Sequence, residues 1–430
     1  MKKVLIITYY WPPSGGAGVQ RWVKLTKYLA LLDVEVHVIT VDENYSSYVV
    51  KDFSLMDDIS EKIKIHKTKS FEPIKIYGKI AGKKNIPTAG FSNVDNSSLK
   101  QKLVNFVRSN LFIPDPRRCW NRYAYKKACE VIEKYSIDNV ITSSPPHSSQ
   151  LLGLKLKKKF NINWIADLRD PWTDIYYYPL LNHSFLSARI DYMYEKKVLK
   201  NADKVITVGQ SLKNLFLSKD HTLKEDKIYL IPNGFDPEDF ENQRFKIFPE
   251  DFTITYTGTM SGSYNPNIFF DVLIELINDL KINKIRLNIV GMVAEEIKSY
   301  IINTSLKDHV CFIPSVPHNE VTGYQIRSHL LLLIIPDIVK SEGILTGKLF
   351  EYLATGNKII CIGPKNGDAA GIIEMVDAGK VFERDEKSKI YKYLEFIFNS
   401  YLNSTLPQKP NDLVSRFNRK LQADLLYDLI

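Results

Sequence analysis

The feature that most constrains the fold is a repeated alternation between short apolar runs and longer segments with helical spacing. Runs rich in valine and isoleucine occupy residues 4–8, 34–41, 139–143, 163–167, 204–208 and 227–231. The segment after the first run, residues 19–32, places apolar side chains three and four positions apart, as an amphipathic helix does. Near-continuous apolar strands separated by helices are typical of a parallel sheet covered on both faces. The first half therefore predicts a doubly wound α/β domain.

A second series of the same kind fills the other half of the chain. Its apolar runs occupy residues 252–257, 285–290, 310–313, 330–335 and 358–362, and a helix is predicted over residues 267–280. The polar segment around Asn233, Gly234 and Pro237 separates the two series and places a hinge at about 235–250. The halves share no visible self-similarity, which favours a second doubly wound domain over a sequence repeat.

These patterns predict an α/β architecture of two doubly wound, Rossmann-like domains facing across a cleft. We expect an N-terminal domain over 1–240 with an irregular insertion at 43–135, and a C-terminal domain over 241–410. A terminal helix over 411–430 is expected to pack back on the N-terminal domain. Doubly wound sheets bind ligands at the carboxyl ends of their strands. Candidate functional residues are therefore expected where the apolar runs end.

Composition and termini exclude several other classes of protein. Of the 430 residues, 44% are hydrophobic and 25% are charged, which excludes a disordered or fibrous chain. The apolar run at 330–335 is far too short for a membrane span, and the N-terminal run reads as a strand and not a signal peptide. The 4 cysteines form no CxxC pair. A reducing cytoplasmic location without a structural zinc is the simplest expectation.

Positive charge is concentrated in the first half. Residues 1–239 contain 37 lysines and arginines against 26 aspartates and glutamates, a net +11, while the remainder carries −2. Basic clusters occur at Lys62, Lys64, Lys67 and Lys69; at Lys79, Lys83 and Lys84; at Arg117, Arg118 and Arg122; and at Lys155, Lys157, Lys158 and Lys159. Such a half predicts an anionic partner, and solvated helix faces are the alternative interpretation.

A membrane surface is favoured over nucleic acid as that anionic partner. The chain has no zinc finger, no RNP motif and no alternation of aromatic and basic residues. Phe112 and Trp120 lie beside the basic clusters, and one or the other is expected to insert at the headgroup level. We therefore expect no nucleic-acid partner and a peripheral attachment to an anionic membrane.

In the first half, three loops after apolar runs could carry chemistry. Gly15 and Gly16 open the first helix, where glycines allow a ligand to approach the backbone and the helix start. His147 follows the 139–143 run and could donate a hydrogen bond or shuttle a proton, although it could equally be polar filler. Arg169 and Asp170 follow the 163–167 run, and either a substrate contact or an internal Asp–Arg pair would explain them.

In the second half, two segments point to a phosphate group. Gly258 and Thr259 leave the first strand of that half in a turn of small residues, which could cradle phosphate oxygens or let a helix pack closely. Gly347 and Lys348 begin a short helix, whose N–H groups and positive charge suit a diphosphate. Glu351 lies one turn later on the same side and could accept both hydroxyls of a ribose. The simpler alternative is an ordinary Lys–Glu pair.

Four segments of the chain together resemble the family 4 glycosyltransferases of the GT-B fold. They read YYWPPSGGAGVQR at 9–21, DLRDPW at 167–172, IPNGFD at 231–236 and KLFEYLATG at 348–356. Their order along nearly the whole chain matches the family, and the likeness is strongest to bacterial members that build surface polysaccharides.

The resemblance implies a retaining transferase that uses a nucleotide-diphosphate sugar, without a metal or other cofactor. By the same resemblance, Gly15 and Gly16 face the diphosphate or the acceptor, and His147 bonds the donor sugar. Gly258 and Thr259 line the phosphate side, Lys348 pairs with a phosphate and Glu351 holds the ribose.

The sequence departs from the family pattern at two places. The family often has a glutamate eight positions before Glu351, where this chain has Gly343. Either Glu342 takes its place in the donor site or backbone groups bind the sugar hydroxyls. The family also often has an arginine and a lysine soon after the first strand of the second domain, and residues 258–267 have neither. Lys348, together with Arg21 or Arg169, would then supply the positive charge. Arg21, Arg169 and Asp170 are candidates for an acceptor or substrate loop.

The predicted function is transfer of a sugar from a nucleotide-diphosphate donor to a glycan acceptor in cell-surface polysaccharide biosynthesis. The acceptor is expected to be lipid-linked, at the inner face of the cell membrane. A nucleotide-sugar 2-epimerase of the same fold remains an alternative, although it would not need a basic first domain. A non-catalytic nucleotide-sugar-binding subunit is a third, although it would not need the combination of Gly15, Gly16, His147, Lys348 and Glu351.

Overall fold

The computed structural model describes residues 1–48, 50–72, 99–241, 250–282, 284–406 and 410–430. The chain divides into two compact units, which we call the first domain (Met1–Pro232 with Gln422–Ile430) and the second domain (Asn233–Leu421). The chain therefore leaves the first domain at Pro232 and returns at Gln422, whereas the sequence placed these points at 240 and 411. Phe235 already exchanges backbone hydrogen bonds with Phe417 and Arg419, which explains the earlier boundary.

The first domain contains a parallel sheet with the order β3-β2-β1-β4-β5-β6-β7 in the described residues. Its strands are β1 Lys3–Ile7, β2 Glu35–Val41, β3 Lys64–Thr68, β4 Asn139–Ser144, β5 Asn163–Leu168, β6 Lys204–Thr207 and β7 Ile228–Leu230. Its helices are α1 Ala17–Leu31, α2 Leu99–Leu111, α3 Asn121–Tyr135, α4 Gln150–Lys159, α5 Phe185–Asn201 and α6 Gln210–Lys219.

The second domain contains another parallel sheet, with the order β10-β9-β8-β11-β12-β13 in the described residues. Its strands are β8 Phe252–Thr257, β9 Ile285–Val290, β10 Val310–Ile313, β11 Leu330–Ile334, β12 Lys358–Ile362 and β13 Gly379–Phe382. The helices from residue 238 onward are α7 Glu238–Glu241, α8 Asn267–Leu280, α9 Glu295–Ile302, α10 His318–Ile326, α11 Gly347–Thr355, α12 Asp368–Met375, α13 Lys387–Leu402 and α14 Arg419–Tyr427.

Helices cover both faces of each sheet, as near-continuous apolar strands require. In β8 every residue is buried, and in β4 and β5 all but the first are. Each sheet separates two hydrophobic clusters, so side chains that alternate along one strand enter opposite cores. The predicted fold class, two doubly wound α/β domains, is confirmed.

The insertion at 43–135 is more regular than we predicted. Its residues 64–68 form β3, the edge strand that pairs with β2, and residues 121–135 form α3, whose Ala124, Ala128 and Val131 enter the core. Lysines at an edge strand are common because they discourage pairing with other chains, and they hid this strand from a search for apolar runs.

The C-terminal segment also differs from the predicted continuous helix over 411–430. A 3-10 turn spans Asp412–Phe417, and α14 starts only at Arg419. Across the described residues, no helix is both long enough and apolar enough to cross a bilayer.

Candidate functional site

In the second domain, the turn after β8 brings a glycine against a lysine. Gly258 has a φ of 100° and donates its N–H to the Val290 carbonyl at 2.7 Å. A Cβ added to Gly258 would lie 3.1 Å from Lys348 Nζ, and one added to Gly291 would lie 2.4 Å from the Gly258 oxygen. The backbone angle therefore favours glycine at 258, and the close approach of the Gly258 oxygen requires glycine at 291.

Lys348, the second residue of α11, is a half-buried cation. Its Nζ donates to the Tyr256 hydroxyl at 2.8 Å and lies 4.0 Å from the centre of that ring. Among the described residues it forms no ion pair within 4.0 Å. Burial lowers the pKa of Lys348 to about 7, against the opposing charge of Glu351. An anion bound here would pair with an ammonium that has no ion-pair partner among the described residues.

The start of α11 adds backbone donors beside this lysine. The helix runs from Gly347 to Thr355, and no described side chain caps its N-terminus. The Thr346 hydroxyl is buried without a hydrogen-bond partner in the described part of the chain. The first N–H groups of a helix point along a dipole that favours anions. The turn and the helix start together can therefore bind a phosphate or diphosphate.

Glu351 is held by two side chains from α10. His318 Nε2 lies 3.1 Å from one carboxylate oxygen, and Gln325 Nε2 donates to the other at 2.7 Å. Burial alone would raise the pKa of Glu351, but the bonds from His318 and Gln325 and the charge of Lys348 lower it. The side chain is therefore an ionised, fixed carboxylate with lone pairs left for further donors.

Of the remaining predicted donor-site residues, Thr259 is linked to Lys348 by hydrogen bonds within the described part of the chain, and Glu342 is not. The Tyr256 hydroxyl donates to the backbone carbonyl of the exposed Thr259 at 2.7 Å. Because the same hydroxyl accepts from Lys348, Tyr256 links Thr259 to Lys348. Glu342 lies in the 3-10 turn Ser341–Gly343, and its backbone oxygen lies 3.0 Å from a Cβ built on Gly367. No contact among the described residues links Glu342 to Lys348 or Glu351.

In the first domain, Gly15 and Gly16 form the turn that opens α1. Gly16 has a φ of 108°, and nothing lies within 4 Å of a Cβ built on it. Gly15 donates its N–H to the Val50 carbonyl at 3.0 Å. No described side chain caps α1. The open side of Gly16 and the helix start can therefore take a polar ligand.

Arg21 lies inside the domain and not in a loop. Its guanidinium, 1% exposed, bonds Asp167 at 3.2 Å and the Pro232 carbonyl at 2.8 Å. Trp22 Nε1 and the Ser143 hydroxyl donate to the other oxygen of Asp167, at 3.0 and 2.8 Å. Removing either member of a buried ion pair leaves an uncompensated charge. We therefore assign Arg21 to the internal Asp–Arg pair and not to a substrate loop.

Arg169 and Asp170 lie in the loop after β5. Arg169 Nε donates to the Ser144 carbonyl at 3.0 Å. A Cβ built on Gly18 would lie only 2.1 Å from Nη1 of Arg169. The arginine therefore packs on the first turn of α1. Burial raises the pKa of Asp170, and nearby Asp167 adds to this while Arg169 opposes it. Both side chains are half-buried, which leaves them accessible to a ligand.

His147 stacks on Trp172, with ring centres 4.9 Å apart and planes 12° apart. Both ring nitrogens are buried, and within the described residues neither has a hydrogen-bond partner. Burial and the charge of Arg169 lower the pKa of His147 to about 3. The imidazole is therefore neutral near pH 7, so His147 is better suited to form a hydrogen bond than to shuttle a proton.

The sequence did not reveal the groups that fix the neighbours of His147, which are Ser148 in the chain and Trp172 in the ring stack. Asp115 accepts the Ser148 N–H at 2.7 Å and its hydroxyl at 2.8 Å, and Asn121 donates to the Ser148 carbonyl. Trp172 donates to Asp191 at 2.7 Å, and burial raises the pKa of Asp191 to about 7. These partners come from the insertion and from α5, and no spacing in the sequence links them to His147.

The structure corrects part of the predicted membrane surface. Arg117 is buried in an ion pair with Glu72 at 2.7 Å, and Trp120 is fully buried with its Nε1 bonded to Thr68. Neither can meet a membrane. Lys79, Lys83 and Lys84 lie outside the described residues. The exposed basic residues of the predicted clusters are Lys62, Lys64, Lys67, Lys69, Arg118, Arg122, Lys155, Lys158 and Lys159.

Comparison with known proteins supports the resemblance that the motifs suggested. Residues 90–239 match the family model described as Glycosyltransferase Family 4. The chain has the GT-B fold. The resemblance to family 4 glycosyltransferases of this fold is thus confirmed, and a search of curated proteins gives no match.

Solved structures of glycosyltransferases match over the whole chain. Sucrose-phosphate synthase from Thermosynechococcus elongatus is 15% identical, with a TM-score of 0.61, over 100% of this chain and 98% of that one. HepE from Anabaena, solved with UDP and glucose, is 13% identical, with a TM-score of 0.61, over 100% and 99%. WaaG, a glycosyltransferase involved in lipopolysaccharide biosynthesis, is 13% identical, with a TM-score of 0.55, over 99% and 97%.

Proposed function

We propose that this protein is a retaining glycosyltransferase that moves a sugar from a nucleotide-diphosphate donor to a lipid-linked glycan acceptor. The observation that carries the proposal is Lys348, a half-buried ammonium without an ion pair among the described residues, at the start of α11 beside Gly258. Leaving such a charge unpaired is costly unless an anion binds there. A diphosphate is the anion that matches both the lysine and the helix start.

The ribose of the donor binds Glu351. This carboxylate lies one turn after Lys348 and is fixed by His318 and Gln325 at 3.1 and 2.7 Å. Charge-assisted hydrogen bonds from two vicinal hydroxyls to one carboxylate suit this arrangement. The nucleotide end of the donor therefore belongs to the second domain, with the diphosphate toward Gly258 and Thr259.

The chemical step breaks the bond between the anomeric carbon and the β-phosphate oxygen. Negative charge develops on that oxygen, where Lys348 and the N–H groups of α11 stabilise it. The acceptor hydroxyl oxygen forms the new bond on the same face, and its proton passes to the departing phosphate oxygen. Attack on the face that the leaving group vacates retains the anomeric configuration.

The first domain supplies the remaining contacts. His147, neutral because burial lowers its pKa to about 3, offers a hydrogen bond to the donor sugar. Gly15 and Gly16 let the diphosphate or the acceptor approach the start of α1, where Gly16 has an open side. Asp170 and Arg169, half-buried in the loop after β5, contact the acceptor.

Two observations support the proposed acceptor and its cellular setting. WaaG is described as acting in lipopolysaccharide biosynthesis, and the +11 charge of residues 1–239 suits an anionic membrane. We therefore propose cell-surface polysaccharide biosynthesis, with the protein bound peripherally at the inner face of the membrane.

The test is release of nucleoside diphosphate from a panel of sugar donors, with and without a lipid-linked glycan. A transferase should release nucleoside diphosphate from one donor far faster when the acceptor is present, and NMR should show that the product keeps the anomeric configuration of the donor. Inversion would contradict the retaining mechanism. A donor converted to its 2-epimer would support the epimerase, and tight donor binding without turnover would support the non-catalytic subunit.

A further inference from the structure

Helix α5 carries its acidic residues on the inside. Asp191 and Glu195 are the acids of this helix, and they are 1% and 0% exposed. Asp191 accepts from Trp172 at 2.7 Å, and Glu195 accepts from Lys219 at 3.0 Å. Both carboxylates therefore serve to anchor neighbouring segments, and the outward face of α5 has no negative charge.

The outward face of α5 combines large apolar side chains with cations. Phe185 is 81% exposed and Leu186 is 66% exposed. Arg189 is exposed one turn later, and the face continues with the exposed residues Tyr192, Met193, Lys197 and Lys200. Apolar residues and lysines or arginines on an outward face, without acids, are typical of helices that lie in a membrane interface.

The end of helix α2 extends this apolar surface. Asn110 donates to the Asn182 carbonyl at 3.1 Å and accepts from the Ser184 N–H and the Ser187 hydroxyl, both at 2.7 Å. These bonds tie the end of α2 to the start of α5. Beside Asn110, the exposed side chains are Phe106, Val107 and Leu111, and Leu111 is 70% exposed.

We infer that these exposed residues form one surface that docks on an anionic lipid bilayer, which we call the α5 surface. It consists of Phe185, Leu186, Arg189, Tyr192, Met193, Phe106, Val107 and Leu111. The inference rests on the proposed function, which needs access to a lipid-linked acceptor. It replaces the insertion point predicted at Trp120, which is buried.

Charge decides the choice of partner. Every outward charge of α5 is positive, and it belongs to a half of the chain that carries +11. Such a surface is attracted to anionic headgroups and repelled by a second copy of itself. Phe185 and Leu186, at the exposed start of the helix, reach below the headgroups while Arg189 meets phosphates.

The experiment is sedimentation of the full chain with vesicles of phosphatidylcholine alone or mixed with phosphatidylglycerol. We expect binding to the anionic vesicles that weakens at high salt. The double change Phe185→Ser with Leu186→Ser should lower the fraction bound at least tenfold, and Arg189→Glu should lower it severalfold. The matched controls are Leu31→Ser, which alters an exposed leucine at the end of α1, and Lys158→Glu, which alters an exposed lysine of α4. Both controls should bind like the parent.

Three results would overturn the α5 surface. The first is equal binding by the double variant and the parent. The second is equal loss of binding in Lys158→Glu and Arg189→Glu. The third is absence of vesicle binding by the parent, with or without a parent dimer that the double variant abolishes. Nucleoside diphosphate release is measured separately. Failure of vesicle binding with donor turnover intact rejects only the surface, and vesicle binding without turnover of any donor rejects only the proposed function.

Discussion

At the scale of single residues, the charge of Lys348 should make donor binding depend on pH. The pKa of about 7 lies below the ordinary lysine value, so the ammonium loses its proton as the pH rises through 7. The diphosphate of a nucleotide sugar stays fully ionised there. Donor affinity should therefore be highest below pH 7 and fall by up to about tenfold per pH unit above it.

Titration calorimetry with a nucleotide sugar between about pH 6 and pH 9 measures this dependence. Lys348→Arg is the control, because a guanidinium keeps its charge throughout that range. Its affinity should be nearly independent of pH. A parallel fall in Lys348→Arg and the parent would show that another group titrates.

Glu351 gives a second prediction at the same scale. In Glu351→Gln the amide keeps the shape of the side chain but accepts hydrogen bonds on one atom only, and without charge. Charge-assisted bonds contribute about 1.5–3 kcal/mol, so donor affinity should fall about ten- to a hundredfold. Titration calorimetry with the nucleoside diphosphate measures this loss of affinity. The control is Glu374→Gln, which alters an exposed carboxylate of α12, and unchanged affinity in Glu351→Gln would remove the ribose assignment.

At the scale of secondary-structure elements, the turn after β8 should tolerate no side chain. Gly258→Ala meets both a φ of 100° and the Lys348 ammonium 3.1 Å away. We expect a loss of about 1 kcal/mol or more in the free energy of unfolding, together with weaker diphosphate binding as the lysine is displaced.

Gly371→Ala is the matched change in the same domain. Gly371 lies inside α12, and nothing lies within 4 Å of a Cβ built on it. Alanine should stabilise this helix by up to about 1 kcal/mol and leave binding unchanged. Urea denaturation and calorimetry compare the two variants. Normal diphosphate affinity in Gly258→Ala would mean that the turn does not line the site.

At the scale of the whole molecule, the last residues of the chain should stabilise the first domain. Ala423, Leu426 and Leu429 lie in its core with 0%, 1% and 7% exposure. The Leu429 carbonyl accepts from Asn163 and Lys204 at 3.0 and 2.5 Å. The segment thus belongs to a domain that the chain left at Pro232.

Leu426→Ala should therefore lower the free energy of unfolding of the first domain by about 2–5 kcal/mol. Leu425→Ala, at a neighbour that is 52% exposed, is the control and should change it little. Scanning calorimetry that resolves the two domains measures the effect. A lowered transition of the second domain alone would contradict this assignment of the C-terminal segment.

The sequence by itself determined the two sheets and located several of the candidate site residues. Apolar periodicity located eleven strands, and helix α8 begins and ends at the predicted residues. The glycine at 258 and the spacing of Lys348 and Glu351 on one helix were also visible. These features are local, because a strand buried on both faces and a helix with one apolar side each leave a short-range pattern.

Only the tertiary structure decided which distant residues meet. His318 and Gln325 reach Glu351 across 33 and 26 positions, Asp115 holds Ser148 across 33, and Asp167 pairs with Arg21 across 146. The order of strands and the packing of helices set these encounters, and neither leaves a period in the sequence. The same reason hid the edge strand β3, the burial of Trp120 and the acid-free outer face of α5, since burial is a property of neighbours that the chain supplies from elsewhere.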